Sequence, residues 1–191
     1  MINSDIQMSA ERPATIEATQ CYKQPFVELW NEDCLETLKR IETGSVDLMI
    51  QDLPYNTTAC DFEYNVEPIL PELWHEWLRV GKENCCYIFT ALEPFRTDLI
   101  LSNRKMFRYD LVWVKNVASN FHHAGKMPLK VHEHILIFYR KLPTYNKQFY
   151  IDKPYKKART VSSIGRTVIV KNRIAYDSSD GKRLQKSVYE I

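Results

Sequence analysis

The sequence predicts an α/β domain built on a mainly parallel sheet with helices on both faces. Two observations carry this. Short apolar runs of four to six residues alternate with stretches whose apolar residues recur at helical spacing. Some of those runs, Val46–Gln51 above all, are apolar enough to suit a strand covered on both sides. A chain of 191 residues that is 45% apolar is long enough for one domain with a real core.

The elements follow in order. Residues 1–24 mix Ser, Thr, Glu and Pro without sustained periodicity and read as a flexible arm. Val27–Trp30 is a short strand. Leu35, Leu38 and Ile41 share one helix face, and Gly44 marks a stop. Val46–Gln51 is the next strand. Leu70, Leu73, Trp74, Trp77 and Leu78 form a second helical stripe, closed by Gly81. Cys85–Phe89 is a third strand, and Pro94 opens a helix running to about Met106. Tyr109–Val114 and Ile135–Phe138 are two more strands, joined by a long connection from Lys115 to His134. Connections longer than about 12–15 residues are usually functional or disordered. Beyond Tyr145 the rhythm fades, with Val168-Ile169-Val170 as a lone strand in a polar, basic segment. The chain divides accordingly into an arm (1–24), a main body (25–150) and a basic tail or variable region (151–191).

Charge is unevenly spread. Residues 151–191 carry ten Lys and Arg against four Asp and Glu, whereas residues 1–150 carry sixteen against twenty. A basic tail suits a polyanionic partner or a solvated surface segment. The five cysteines, Cys21, Cys34, Cys60, Cys85 and Cys86, are odd in number and irregular in spacing. That favours reduced thiols and a cytoplasmic location over a disulfide framework. No apolar run approaches the ~18 residues of a membrane span, and the first residues lack the basic and apolar regions of a signal peptide. His122, His123, His132 and His134 have neither His-Glu-x-x-His spacing nor thiolate partners, so no metal site is expected.

The most informative stretch is Asp52-Leu53-Pro54-Tyr55, at the end of the Val46–Gln51 strand. Ligands of open α/β sheets bind outside the carboxyl ends of strands. The stretch resembles the Asp-Pro-Pro-Tyr motif of amino-directed DNA methyltransferases, with Leu53 in place of the first proline. Asn31-Glu32-Asp33-Cys34-Leu35, Trp113-Val114-Lys115, Met127-Pro128-Leu129-Lys130-Val131-His132-Glu133-His134-Ile135-Leu136 and Thr144-Tyr145-Asn146 extend the resemblance over residues 26–147. In detail, Asp52 to Asp61 is similar to a phage-type and mobile-element subgroup of β-class adenine-N6 enzymes.

The resemblance implies a partial Rossmann-like methyltransferase fold and a role for each motif residue. An exocyclic amine is a poor nucleophile because its lone pair is delocalised into the ring. A carboxylate (Asp52) and a main-chain carbonyl (Leu53) accepting its two N–H bonds would localise that pair toward the methyl donor. Pro54 would stiffen the turn, and Tyr55 would stack on a base flipped from the duplex. The resemblance places Asp33 and Cys34 near S-adenosylmethionine, although Asp33 is equally suited to cap a helix. Lys115, Asn120, His122, Lys126 and Lys130 are candidate contacts to double-stranded DNA, of the kind that position a duplex without reading it. The resemblance also suggests a homodimer, and a complementing methyltransferase half is an alternative.

What the family carries and this chain lacks is the glycine-rich cofactor loop. No two of the five glycines lie within three residues of each other, so no Gly-x-Gly turn lets the main chain approach a cofactor closely. The central cofactor-binding strands are expected to be missing with it. The reading is therefore an adenine-N6 DNA methyltransferase domain, inactive by itself. The alternatives are N4-cytosine methylation by the same geometry, and a non-catalytic DNA-binding remnant or subunit. A metal-dependent nuclease ranks below these, since one Asp with scattered His gives no two-metal site. The purified chain should bind S-adenosylmethionine weakly or not at all. Calorimetric titration yielding a micromolar dissociation constant would contradict this.

Overall fold

A computed structural model of the chain describes residues 21–24, 26–56, 66–154 and 180–190. The Val168-Ile169-Val170 strand and most of the expected arm lie outside the described residues. Residues 21–24 of that arm form a strand.

Strand β1 (Cys21–Gln24) pairs antiparallel with β2 (Val27–Trp30) in a separate two-stranded sheet. Helix α1 (Cys34–Arg40) follows. Asp33 caps it, Oδ1 accepting from the Leu35 amide at 2.9 Å, and Lys39 and Arg40 occupy the last turn, where cations suit the helix dipole. Strand β3 (Val46–Gln51) leads to helix α2 (Leu70–Val80), which buries Leu70, Leu73, Trp74, Trp77 and Val80 on one stripe. Strand β4 (Gly81–Ala91), helix α3 (Phe95–Ser102), strand β5 (Phe107–Ser119) and strand β6 (Lys130–Phe138) complete the body.

The main sheet has five strands in the order β3-β4-β6-β5-β9, where β9 is Val188–Glu190. Pairs β3–β4 and β5–β9 are parallel, and β4–β6 and β5–β6 antiparallel. Four strands thus run one way and β6 runs against them. β9 lies within the expected basic tail yet forms an outer strand of this sheet. Residues 145–186 form a second compact unit, in which β7 (Phe149–Ile151) pairs antiparallel with β8 (Lys182–Leu184).

The expectation of helices on both faces is corrected among the described residues. Alternate β4 residues Cys85, Tyr87, Phe89 and Ala91 share one core with Leu136 and Phe138 of β6 and with all three helices. Trp74 lies at its centre, its ring 5.2–6.1 Å from those of Trp77, Tyr87, Phe89 and Phe138. Each such aromatic contributes about 1.5–3 kcal/mol by leaving water. On the other face Leu48 and Ile50 of β3 remain 51% and 67% exposed. The apolar run Leu48-Met49-Ile50 predicts cover on both sides, but of its three side chains only Met49 is buried.

Two other departures have local causes. The helix expected from Pro94 to Met106 ends at Ser102, because Asn103 leaves helical geometry (φ −148°, ψ 57°). Ser102 Oγ donates to the Leu99 carbonyl and accepts from Trp74 Nε1, each at 2.8 Å. The long connection from Lys115 to His134 is largely strand, since β5 runs on to Ser119 and β6 begins at Lys130.

Two arginines tie the helices' carboxyl ends down. Arg79 donates to the Leu38 and Ile41 carbonyls at the end of α1, at 2.7 and 3.0 Å. Arg140 donates to the Gly81 carbonyl beyond α2 at 3.0 Å. These side chains satisfy carbonyls that a helix end leaves without partners.

Gly81, between α2 and β4, has no room for a side chain. A Cβ there would collide with the Tyr87 hydroxyl and lie 3.0 Å from the Trp77 carbonyl. That hydroxyl is buried and donates to the same carbonyl at 3.2 Å, and burial pushes its pKa up to about 12. Gly81→Ala should therefore lower stability by about 1–3 kcal/mol, the usual cost of overpacking. Urea denaturation of the two proteins checks this.

Candidate active site

The parallel register of β3 and β4 sets Gln51 against Phe89. Asp52, one residue on, therefore stands beside Thr90 at the carboxyl end of the sheet. Thr90 donates its hydroxyl to Asp52 Oδ1, and the Tyr55 hydroxyl donates to the same oxygen at 2.8 Å. One carboxylate oxygen is thus fixed by two hydroxyls. Leu53 and Pro54, half-buried, carry the chain between Asp52 and Tyr55.

The Tyr55 ring stacks on Phe95 at the start of α3, with centroids 5.8 Å apart and planes 22° from parallel. Burial, with a further contribution from the bond to Asp52, holds the Tyr55 phenol well above its usual range, despite the opposing effect of Thr90. It stays protonated and remains a donor. Asn56 has left-handed geometry (φ 54°), and its Oδ1 is buried with no hydrogen-bond partner among the described residues. A buried acceptor of that kind calls for a partner.

Beyond Ala91 the sheet narrows. Ala91 pairs with His134, and the β6 residues before it pair only with β5. Lys115 forms an ion pair with Glu133, whose side chain is 13% exposed, and lies 5.4 Å from the Trp113 ring. The expected free DNA contact at Lys115 is thus occupied within the protein. Asn120 also has a structural task, its Oδ1 accepting from the Lys130 amide at 2.8 Å. His122, Lys126 and Lys130 are exposed.

On the helix-covered side, Arg96 donates to Asp110 Oδ2 at 3.0 Å, and His134 Nδ1 lies 2.8 Å from the same oxygen. Arg96 also donates to Glu93 at 2.9 Å. This network braces the start of α3, and so Phe95 beneath Tyr55. Thr90, Phe95, Arg96 and Asp110 escape a reading of the sequence because none belongs to a motif. Thr90 alone carries a signal, as the polar residue at the end of an apolar strand.

A second feature lies by Gln51. A cleft of about 310 Å³ is lined by Glu28, Trp30, Glu32, Cys34, Thr37, Gln51 and Trp77, among others. Cys34 therefore shares this cleft with Gln51, the last residue of β3. Asp33 is spent on the helix cap. β2, which precedes it, lies outside the main sheet. Of the cleft's two carboxylates, Glu32 is paired with Arg40 and accepts from the Thr37 hydroxyl at 2.6 Å. No glycine lines the cleft to permit close main-chain approach, and Arg40, which packs 4.5 Å over the Trp30 ring, is already paired with Glu32. The described residues do not make a complete S-adenosylmethionine site. They contain no cluster of three or more His, Cys, Asp or Glu fit for a metal ion, and no helix long and apolar enough to cross a membrane.

The chain matches no protein-family model and no curated protein. Among solved structures it is similar to TTHA0409 of Thermus thermophilus, a provisionally assigned DNA modification methylase (24% identity, TM-score 0.41, covering 61% of this chain and 53% of that one). It is also similar to M1.HpyAVI in complex with S-adenosylmethionine (14% identity, TM-score 0.38, 65% and 58%). A third is the cytosine-N4-specific PvuII DNA methyltransferase (10% identity, TM-score 0.42, 61% and 49%). The chain thus spans about half to three-fifths of these proteins. A likeness of this size does not by itself assign a function.

Burial raises the Asp110 carboxyl, but the bonds from His134 and Arg96 outweigh it and hold the group below the ordinary carboxylate range. A lowered folded pKa stabilises the fold above the unfolded value of about 3.9, and that contribution is lost as pH falls through the folded value. Asp110→Asn should cost about 1–3 kcal/mol near neutrality. The difference from wild type should shrink only below pH ~4. Denaturation midpoints across pH check this.

Proposed function

We propose that this chain is the catalytic, DNA-facing part of an S-adenosylmethionine-dependent DNA methyltransferase acting on the N6 amine of adenine. The observation that carries the reading is the doubly held carboxylate of Asp52, at the carboxyl end of β3 beside the Leu53 main chain and the Tyr55–Phe95 stack. Thr90 and Tyr55 fix Oδ1, and so the plane of the carboxylate. Its other oxygen accepts one amine hydrogen of a flipped base, and the Leu53 carbonyl accepts the second. The lone pair then leaves the ring plane on one side. The proline lost at position 53 does not matter to this chemistry, because the acceptor is a main-chain oxygen.

Tyr55 serves as the platform for the base, and Phe95 backs it. Stacking on such a platform is worth about 1–3 kcal/mol per base. S-adenosylmethionine, when bound, supplies the methyl group. The described residues of this chain present the acceptor. An Asp at position 52 favours adenine over cytosine, whose N4-directed enzymes more often use Ser. The glycine-rich donor segment is then contributed by another segment or a complementing partner. The outer position of β3, whose own Leu48 and Ile50 are exposed, supports an association at that edge.

The test supplies a glycine-rich cofactor segment in cis or in trans and follows transfer of tritiated methyl groups to duplex DNA. Transfer should appear, and nucleoside analysis should give N6-methyladenine. Asp52→Ala should abolish turnover with little change in DNA binding, because its hydrogen bond strengthens mainly in the transition state. Tyr55→Ala should weaken base capture by about 1–3 kcal/mol. Near-normal turnover by Asp52→Ala would contradict the assignment, and N4-methylcytosine as the product would shift it to the other base.

A further inference from the structure

The β5–β6 hairpin extends past the last residue of β4 on the side where Asp52 lies. Val114 pairs with His132 and, on its other side, with Glu190 of β9, and Ser119 pairs with Lys130; beyond Val114 no other described strand of the sheet pairs with this arm. Its tip is built, not loose. Asn120 adopts left-handed geometry (φ 57°, ψ 37°) and starts a single 3-10 turn, Phe121–His123. Such geometry is costly for a residue other than glycine and needs support. Here the Asn120 side chain clamps the opposite strand through the Lys130 amide at 2.8 Å, and its carbonyl accepts from the His123 amide at 2.9 Å. The amides of Ala124, Lys126 and Met127 close further turns onto Phe121 and His123 at 2.8–3.1 Å.

This braced tip presents apolar side chains to solvent. Phe121 is 59% exposed and Met127 49% exposed. An aromatic ring held in water on a rigid turn gains nothing for the fold. The arm is also one-sided in charge. From Leu111 to His132 there are three lysines and three histidines and neither Asp nor Glu. Lys126, Lys130, His122 and His123 are all exposed around the apolar tip. Cations ringing a projecting apolar wedge complement a polyanion whose interior is a stack of flat rings.

We infer that the hairpin is a finger that enters duplex DNA, with Phe121 as a wedge filling the gap left in the base stack and Lys126 and Lys130 holding the flanking phosphates. Side chains inserted between base steps are a known way to unstack a duplex, at a cost that is least where the stack is already broken. This rests on the proposed function only in taking DNA as the partner. It places base extrusion on the arm beside the Asp52 site and assigns that work to residues outside the chemical motif.

The test uses the full chain and two otherwise identical duplexes, one intact and one with a single abasic site. Wild type should bind the abasic duplex about tenfold more tightly, within the range that one aromatic–base stack supplies. Phe121→Ala should bind both duplexes alike, with circular dichroism unchanged because the ring is exposed. Phe121→Trp should keep the preference, and its added emission should be quenched on binding. Lys126→Ala and Lys130→Ala should weaken both complexes equally and make the log–log salt slope shallower by about 0.9 each. Asp52→Ala should leave the preference intact, which separates this inference from the methyl-transfer reading. No preference in wild type, no DNA binding, or a Phe121→Ala protein that retains the preference would overturn it.

Discussion

The parallel pairing of β3 with β4 is the constraint on which the rest depends. It sets Gln51 against Phe89 and so brings Asp52 to Thr90. β4 in turn is held by its buried alternation, Cys85, Tyr87, Phe89 and Ala91, against Trp74 and Trp77 of α2. The 52–55 turn therefore leaves the sheet at a point fixed by a rigid pair of strands. A slip of one residue in β4 would turn Phe89 out of the core and Thr90 into it, since neighbouring side chains point to opposite faces. The register cannot slip without losing the aromatic core.

The same reasoning explains why Tyr55 is steady enough to be a platform. Its hydroxyl is tied to Asp52 and its ring to Phe95. Phe95 opens α3, whose first turn is anchored through Arg96 to Asp110 on β5 and, through that carboxylate, to His134 on β6. Two strand ends and one helix start thus converge on a four-residue motif, braced from within β5 and β6. Removing Arg96 or Asp110 would loosen the platform without touching the base.

Much of this is legible in the sequence. α1, α2, β3 and the strand cores fall where periodicity and caps place them, because each buries a regular apolar stripe. The site motif is legible because its order, acid then main-chain acceptor then aromatic, answers a chemical need. Sheet direction is not. β6 is antiparallel to its neighbours although Ile135–Phe138 is as apolar as a parallel strand, and strand composition records burial, not direction. The hairpin reads as a loop because Lys115–Ser119 and Lys130–His132 are largely exposed strand that mixes polar and small apolar residues without a regular stripe. They pair through main-chain atoms that the side chains do not advertise. The roles of Thr90 and Phe95 are hidden for a related reason, since each acts through a contact distant in sequence.

The central claim is that Asp52, Leu53 and Tyr55 receive a base. Photocrosslinking tests it most directly, with the chain bound to a duplex carrying one unpaired 8-azidoadenine, followed by mass-spectrometric mapping of the modified peptide. The account predicts attachment at Tyr55 or its immediate neighbours in the 52–55 turn, lost when Tyr55 is replaced by Ala. Attachment confined to residues away from that turn, or unchanged in the Tyr55→Ala protein, would contradict it.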